Sequence, residues 1–405
     1  MNPAPHRRWY APPVLAVLGA QLCAALADNA LLIVAIALLE ARHAPGWVTP
    51  ALRLCFYAAY VLLAPLAGRW ADSWPKGRLM AAVNGIKLIG VAALAGGAHP
   101  LLVFAAIGCG AAAYAPARYG VLPELTSGSE LLRANAAMEI VTIAGIIGGY
   151  ALGSALLECG TALACAVMAG LFLLGALATA ALGRHAVAVA VHPAPAPERM
   201  AFFSAAGWLL RDGPARHALI LTSIFWSAAA VLQLLMIAWA RDNLGLSLAQ
   251  AALLPAVLAL GIVAGAVLAG AWRIIGSPAA ATGCALALGG AILLMPLAHS
   301  VATACALLAF AGVLAGVLLV PMNARLQERG ASLLQPGMSV AVQNGAENAL
   351  SVVFLALYGA ALAAGASTNG AVDGLGIGVV LLVSLGSWAT HRMYRSHLTE
   401  RRCQT

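Results

Sequence analysis

The chain has 405 residues, 62% of them apolar and only 9% charged, with a formal net charge of +8. Soluble domains carry about 25% charged residues, so this composition excludes a soluble globular fold, and its apolar content excludes disorder. At about 20 residues per span plus a short connection, the length holds roughly a dozen membrane spans and no large soluble domain beside them.

At the N-terminus Arg7, Arg8, an apolar run from Val14 and Ala25-Leu26-Ala27 imitate a secretory signal with its cleavage site. The run resumes from Ala30 to Leu39, long enough to span, so no cleavage is expected. Apolar windows bounded by charge or by Pro and Gly predict spans at about residues 13–39, 51–68, 79–96, 101–117, 136–157 and 161–183. Six more follow at about 217–240, 249–271, 279–297, 301–321, 338–363 and 374–391. The expected architecture is an all-α polytopic membrane protein of twelve transmembrane helices in two six-helix halves. Residues 1–183 form the first half, 184–216 a connecting loop, and 217–405 the second half with a short tail. The loop holds His192-Pro193-Ala194-Pro195-Ala196-Pro197, which cannot be helical. After it, Phe202, Phe203, Trp208 and Leu209 suit either a short helix on the membrane surface or a plain linker.

With the N-terminus inside, one set of span ends collects 18 of the 22 Lys and Arg, the opposite face keeps only Arg42, Arg53 and Arg241, and Lys87 lies within a span. The positive-inside rule then assigns both termini and the connecting loop to the cytoplasm. No basic stripe with interleaved aromatics points to nucleic acid, so no nucleic-acid partner is expected. The eight cysteines are scattered through apolar runs without C-x-x-C spacing, which argues against a disulfide framework or a zinc site. Phosphate-loop, H-E-x-x-H and G-x-S-x-G signatures are absent, and the nine histidines fall in tails, loops or helix ends. Neither enzyme activity nor a cofactor or metal is expected. Transport then runs on gradients or on the substrate's own concentration difference.

An ionisable side chain inside a span is costly and is a functional hypothesis by default. Asp28, followed by Asn29, sits near the middle of span one; Lys87 sits in span three with Asn84 one turn before it. Glu139 lies early in span five with Thr142 at i+3. Span eleven carries Gln343, Asn344, Glu347 and Asn348, where i,i+4 spacing pairs Gln343 with Glu347 and Asn344 with Asn348 in a polar stripe that cannot face lipid. The alternative is structural: Lys87 pairs with Asp28 or Glu139 merely to hold the first half together. Arg118 at the end of span four is either part of the polar pathway or an interfacial snorkelling anchor. The glycine-rich runs Gly145 to Gly153 and Gly261 to Gly270 suit close, separable packing that opens a lateral path, or ordinary tight packing.

Two six-helix halves joined by a cytoplasmic loop resemble the major facilitator superfamily, whose site lies between the halves near the midplane. Gly68-Arg69-Trp70-Ala71-Asp72-Ser73-Trp74-Pro75-Lys76-Gly77-Arg78 has the G-x-x-x-D…G-R form of that superfamily's loop between spans two and three. Gly68 would permit close helix approach and Gly77 continues the motif, while Asp72 with Arg78 can form a charge latch, a gating role. The matching position in the second half, Gly270 to Gly276, keeps Arg273 but no acid. More specific stretches are Ala27-Asp28-Asn29-Ala30-Leu31-Leu32, Asn84-Gly85-Ile86-Lys87-Leu88-Ile89-Gly90, Tyr114-Ala115-Pro116-Ala117-Arg118-Tyr119-Gly120, Pro321-Met322-Asn323-Ala324-Arg325 and Gln343-Asn344-Gly345-Ala346-Glu347-Asn348. Together, over roughly residues 10 to 390, these resemble the bacterial lysophospholipid transporter family of that superfamily.

The resemblance implies a flippase of the bacterial inner membrane that moves lysophosphatidylethanolamine and lysophosphatidylglycerol to the inner leaflet for re-acylation. It also implies a partner, an acyltransferase/acyl-acyl carrier protein synthetase, expected here as a separate chain. One departure is Gln233 in span seven, where the family pattern has a basic residue; the carried-over head-group site is weaker there. Asp28, Asn29, Asn84, Lys87, Arg118, Glu139, Gln343, Asn344, Glu347 and Asn348 form the expected polar pathway. Two other functions fit the residues: a proton-coupled exporter of drugs or other amphiphiles with Asp28 or Glu347 as proton carrier, and a non-transporting scaffold for a lipid-modifying enzyme.

Overall fold

The computed structural model describes residues 8–126, 128–182, 202–272, 277–334 and 336–403; within its helices some side chains, among them those at 67–73, 139 and 391–403, lie outside the described set. Among the described residues there is no strand. The helices of the first half are α1 (Pro12–Ala41), α2 (Val48–Ser73), α3 (Lys76–Ala95), α4 (Pro100–Leu125), α5 (Gly128–Cys159) and α6 (Thr161–Leu182). A short α7 (Phe202–Arg211) leads into α8 (Gly213–Leu244), then α9 (Leu248–Ala251), α10 (Leu254–Trp272), α11 (Pro278–Leu293), α12 (Val301–Leu333), α13 (Pro336–Ala363) and α14 (Thr368–Cys403). Ten of these stretches are long and apolar enough to cross a membrane, and α2 and α4 carry shorter apolar stretches, Val48–Leu63 and Pro100–Ala115. They occupy the twelve predicted span positions, so the chain is an all-α polytopic membrane protein.

Several helices overrun the apolar windows. α5 starts at Gly128 instead of about 136, α12 continues to Leu333 instead of about 321, and α2 runs to Ser73. Hydropathy marks where a helix meets lipid, whereas its backbone ladder continues into water until a cap ends it. The segment 68–78, expected as a loop, is therefore mostly helix, with only Trp74 and Pro75 between α2 and α3. Where ends are defined, local chemistry defines them. The side chains of Asp212, Ser277 and Ser300 accept from the backbone N–H of Ala215, Ala280 and Thr303 at the starts of α8, α11 and α12. Gly245 closes α8 at φ +66°, a left-handed value that suits glycine. Pro321 lies inside α12, where it withholds an N–H from the Val317 carbonyl.

Two compact units divide the chain: Met1–Arg199 with Leu248–Ala256, and Met200–Ser247 with Val257–Thr405. In the first, α1 is the enclosed helix, packed on α5 and α6, while α3 packs on α4 and α6 and α2 on α4. Gly145, Gly149 and Gly153, one turn apart on α5, let α1 approach backbone to backbone: a Cβ at Gly149 would stand 2.7 Å from the Leu26 carbonyl oxygen, and one at Gly153 3.0 Å from Ala30 Cα. In the second unit α8 is enclosed by α12, α13 and α14. There Gly261 and Gly265 of α10 meet Gly312 and Gly316 of α12, a Cβ at Gly261 falling 2.9 Å from Gly312 Cα. Both glycine-rich runs thus lie inside a unit, as tight packing and not as a separable seam.

Candidate functional site

In the first unit the intramembrane charges meet. Lys87 of α3 donates to Asp28 Oδ2 of α1 at 2.5 Å, and the lysine is 2% exposed against 27% for the aspartate. Its ammonium also lies over two rings, 5.6 Å from the centroid of Tyr114 on α4 and 5.4 Å from that of Phe172 on α6. Four helices therefore enclose one cation. Asn84, one turn before Lys87, is fully buried, its amide nitrogen 3.1 Å from where a Cβ on Gly175 of α6 would stand. Asp28 Oδ1 is buried and has no hydrogen-bond partner among the described residues, an acceptor available to a substrate donor or a proton.

Asn29 turns back on its own helix, donating to the Ala25 carbonyl at 2.9 Å. Arg118 is half-buried one turn beyond Tyr114 on α4. Thr142, the i+3 neighbour of Glu139, accepts from Gln21 of α1 at 3.0 Å. The side chains of Gly68, Asp72 and Glu139 lie outside the described residues, as does Arg273; Gly77 is buried at the start of α3 and Arg78 is exposed. An apolar cavity of about 320 Å³ between α1, α3 and α6, lined by Leu38, Val91, Leu94 and Cys165 among others, includes neither Asp28 nor Lys87.

The second unit holds the other centre, on α13. Gln343 donates through Nε2 to Glu347 Oε1 at 2.8 Å, the pair expected from i,i+4 spacing, and to Asn323 Oδ1 of α12 at 2.9 Å. Glu347 is 8% exposed, and the Thr222 hydroxyl of α8 lies beside its carboxyl. The second expected pair is different in kind: Asn348 donates to the Asn344 backbone carbonyl at 2.7 Å, not to its side chain. Ser351 extends the stripe, donating to the Glu347 carbonyl at 2.7 Å. Tyr114, Phe172, Thr222 and Asn323 are the contributors that spacing missed. Single aromatics or hydroxyls in apolar runs carry no signal of their own, although Asn323 stood in a motif already singled out.

A second buried polar group joins α8, α11 and α14: His217 Nε2 pairs with Thr282 Oγ1 at 3.1 Å, and Thr282 with Ser387 Oγ at 2.9 Å. His217, expected at a helix end, is thus buried. Among the described residues no three His, Cys, Asp or Glu side chains gather as a metal site, and the described cysteines are free thiols.

Long apolar helices enclosing a few charged and amide side chains define a multi-pass membrane transporter. The family model of the Major Facilitator Superfamily matches residues 17–367. The lysophospholipid transporter LplT of Enterobacter sp. (strain 638) is 37% identical over 390 residues, 94% of this chain and 96% of that protein. LplT of Serratia proteamaculans (strain 568) is 39% identical over 354 residues, covering 86% and 88%. The crystal structure of the POT family transporter PepTSo aligns with a TM-score of 0.74 at 14% identity, covering 95% of this chain and 98% of that one, which speaks to fold alone. The chain belongs to the major facilitator superfamily and, within it, to the lysophospholipid transporter family.

Proposed function

We propose that this protein is a lysophospholipid flippase, moving lysophosphatidylethanolamine and lysophosphatidylglycerol from the outer to the inner leaflet of a bacterial inner membrane for re-acylation. The observation that carries this is the match to lysophospholipid transporters at 37% identity over 94% of the chain. The buried groups supply suitable chemistry. A zwitterionic head group brings a phosphate, which favours Lys or Arg, and an ammonium, which favours a carboxylate. Asp28, with its unbonded Oδ1, and Glu347 are the carboxylates for the amine or for glycerol hydroxyls; Lys87 and Arg118 are the cations for the phosphate.

Because Lys87 is enclosed and already paired, a phosphate reaches it only by taking the place of Asp28. With lysophosphatidylethanolamine the head-group ammonium then takes over the Asp28 carboxylate, so that one internal ion pair becomes two pairs with the substrate and no charge is left uncompensated in a low dielectric. With lysophosphatidylglycerol the glycerol hydroxyls donate to that carboxylate instead. The acyl chain must stay in apolar surroundings throughout, at about 0.8 kcal/mol per CH₂, which favours alternating access with lateral access for the lipid. The 18-to-3 distribution of basic residues supports cytoplasmic termini. Gly68, Asp72, Gly77 and Arg78 are the proposed gating segment. A separate acyltransferase/acyl-acyl carrier protein synthetase is the proposed partner, consuming the flipped lipid.

Purified protein in liposomes tests this. Labelled lysophosphatidylethanolamine is expected to cross between leaflets faster than diacyl lipid, and Asp28→Ala of normal abundance is expected to abolish the difference. No lysolipid movement, with acidification of the lumen on addition of an amphiphile, would replace the flippase with a proton-coupled exporter.

A further inference from the structure

The short helix α7 is apolar on nearly every side. Ala205 and Leu209 are fully buried on its inner face, while Phe203 is 81% exposed, Trp208 50% and Leu210 46%. A ten-residue helix showing Phe, Trp and Leu to water would be unstable alone, so its outer face needs an apolar neighbour.

Three attachments set where that face sits. α7 ends at Arg211, one residue before α8 enters its membrane-spanning run at Gly213, so α7 stands at the membrane boundary by covalent continuity. Asp212 in that hinge accepts from Arg329 near the end of α12, and Arg216 of α8 donates to the Leu210 carbonyl at 2.9 Å. The third attachment is to the helix of the polar stripe. Phe202 lies in the notch left by Gly345 on α13, its Cζ 2.7 Å from where a Cβ would stand, and Gly345 is two residues from Glu347.

We propose that α7 is a strut inserted in the lipid headgroup region. Its outer face, Phe203, Trp208 and Leu210, sits at the acyl boundary of the adjacent leaflet, and its inner face braces α13 through Phe202 and Gly345. Aromatic side chains and a flanking arginine are what an interfacial helix presents to lipid. Exposed Phe and Trp supply the burial, and Arg211 meets the phosphates. Through the Gly345 notch, the depth of α7 in the interface bears on the position of α13 beside Glu347. The proposal holds whichever lipid the protein transports.

The test uses the full chain in nanodiscs of phosphatidylethanolamine and phosphatidylglycerol. The fluorescence contributed by Trp208, taken as the difference between wild type and Trp208→Phe, is expected to be blue-shifted and quenched by lipid brominated near the glycerol end of its acyl chains. Acrylamide is expected to leave it unquenched. Absence of quenching by brominated lipid would overturn the insertion: quenching by acrylamide would then mark a water-facing patch, and quenching by neither a protein-covered one. In the double variant Phe203→Ser, Trp208→Ser, amide exchange is expected to rise on the order of tenfold over 202–211 and to rise also over 340–348. Loosening of 202–211 with 340–348 unchanged would overturn the strut. If the double variant fails to fold, the Trp208→Phe quenching still decides the insertion, and exchange over 340–348 in Phe202→Ala decides the strut.

Discussion

The two units handle buried charge in opposite ways. In the first, Asp28 and Lys87 neutralise each other, and the lysine is walled in by Tyr114, Phe172 and Asn84. In the second, Glu347 is held by the amide of Gln343, with the hydroxyl of Thr222 beside it, and no ion pair to it is seen among the described residues. On the proposed function, a closed pair is opened by a ligand that satisfies both partners, a phosphate for Lys87 and an ammonium or glycerol hydroxyls for Asp28. A carboxyl with neutral donors accepts any cation, an ammonium or a proton. That proposal puts head-group selectivity in the first unit and uptake of a single positive charge in the second.

The strongest way to break this contrast is to remove one half of the closed pair. Lys87→Met takes away the ion-pair partner of Asp28, and losing one partner of a buried pair costs on the order of 3–5 kcal/mol. Thermal unfolding in nanodiscs is expected to show that loss, with most of it recovered in the double variant Lys87→Met, Asp28→Leu. If the double variant is as unstable as the single, the lysine contributes through its packing on Tyr114 and Phe172 and not through its charge.

The second centre responds differently. Gln343→Leu removes the donor shared by Glu347 and Asn323, and two acceptors then lose a partner at about 1–3 kcal/mol in stability. Glu347→Gln keeps an acceptor oxygen toward Gln343 and is expected to shift stability less than Gln343→Leu does. It removes the negative charge offered to an ammonium, so lysophosphatidylethanolamine transport is expected to fall about tenfold or more. Equal transport by wild type and Glu347→Gln would erase the functional half of the comparison.

Much of this was legible in the chain, for reasons that also mark where legibility ended. Span positions follow from hydropathy, because an apolar run has no other solvent to face. Asp28, Lys87 and Glu347 are conspicuous because charge inside such a run is costly. Periodicity gives the face of a helix but not its neighbour, so Asp28 as a partner of Lys87 could not be singled out, nor could Phe172 be told from any other aromatic in an apolar helix. Intrahelical pairing was readable where both groups are long enough to meet, as for Gln343 and Glu347. It failed for Asn344 and Asn348, because the short Asn348 side chain is better satisfied by the backbone carbonyl one turn back. The glycine runs were visible as small residues, but only the structure shows that their partners are α1 and α12 within the same unit.

The smallest expected effect lies outside the membrane, at the Asp212–Arg329 pair that ties the α7–α8 hinge to α12. Here the cation is the open partner, Arg329 being 45% exposed where Lys87 is 2%. Burial pushes the Asp212 carboxyl up, but hydrogen bonds from Arg329 and from the Ala215 N–H, with the nearby guanidinium charges, outweigh it and hold the carboxyl below its ordinary 3.8. A carboxyl whose folded value is depressed contributes stability that is present above its unfolded value and lost as pH falls through the folded one. The contribution is therefore whole at neutral pH and fades only below about pH 4. Screening by water holds it to about 1 kcal/mol or less. Unfolding midpoints of wild type and Arg329→Gln, followed in nanodiscs from neutral to acid pH, are expected to differ slightly at neutral pH and to converge in acid. A gap that stays constant as Asp212 is protonated would mean that Arg329 acts at the hinge through its length and packing, and that the outer pair carries no charge-dependent stability at all.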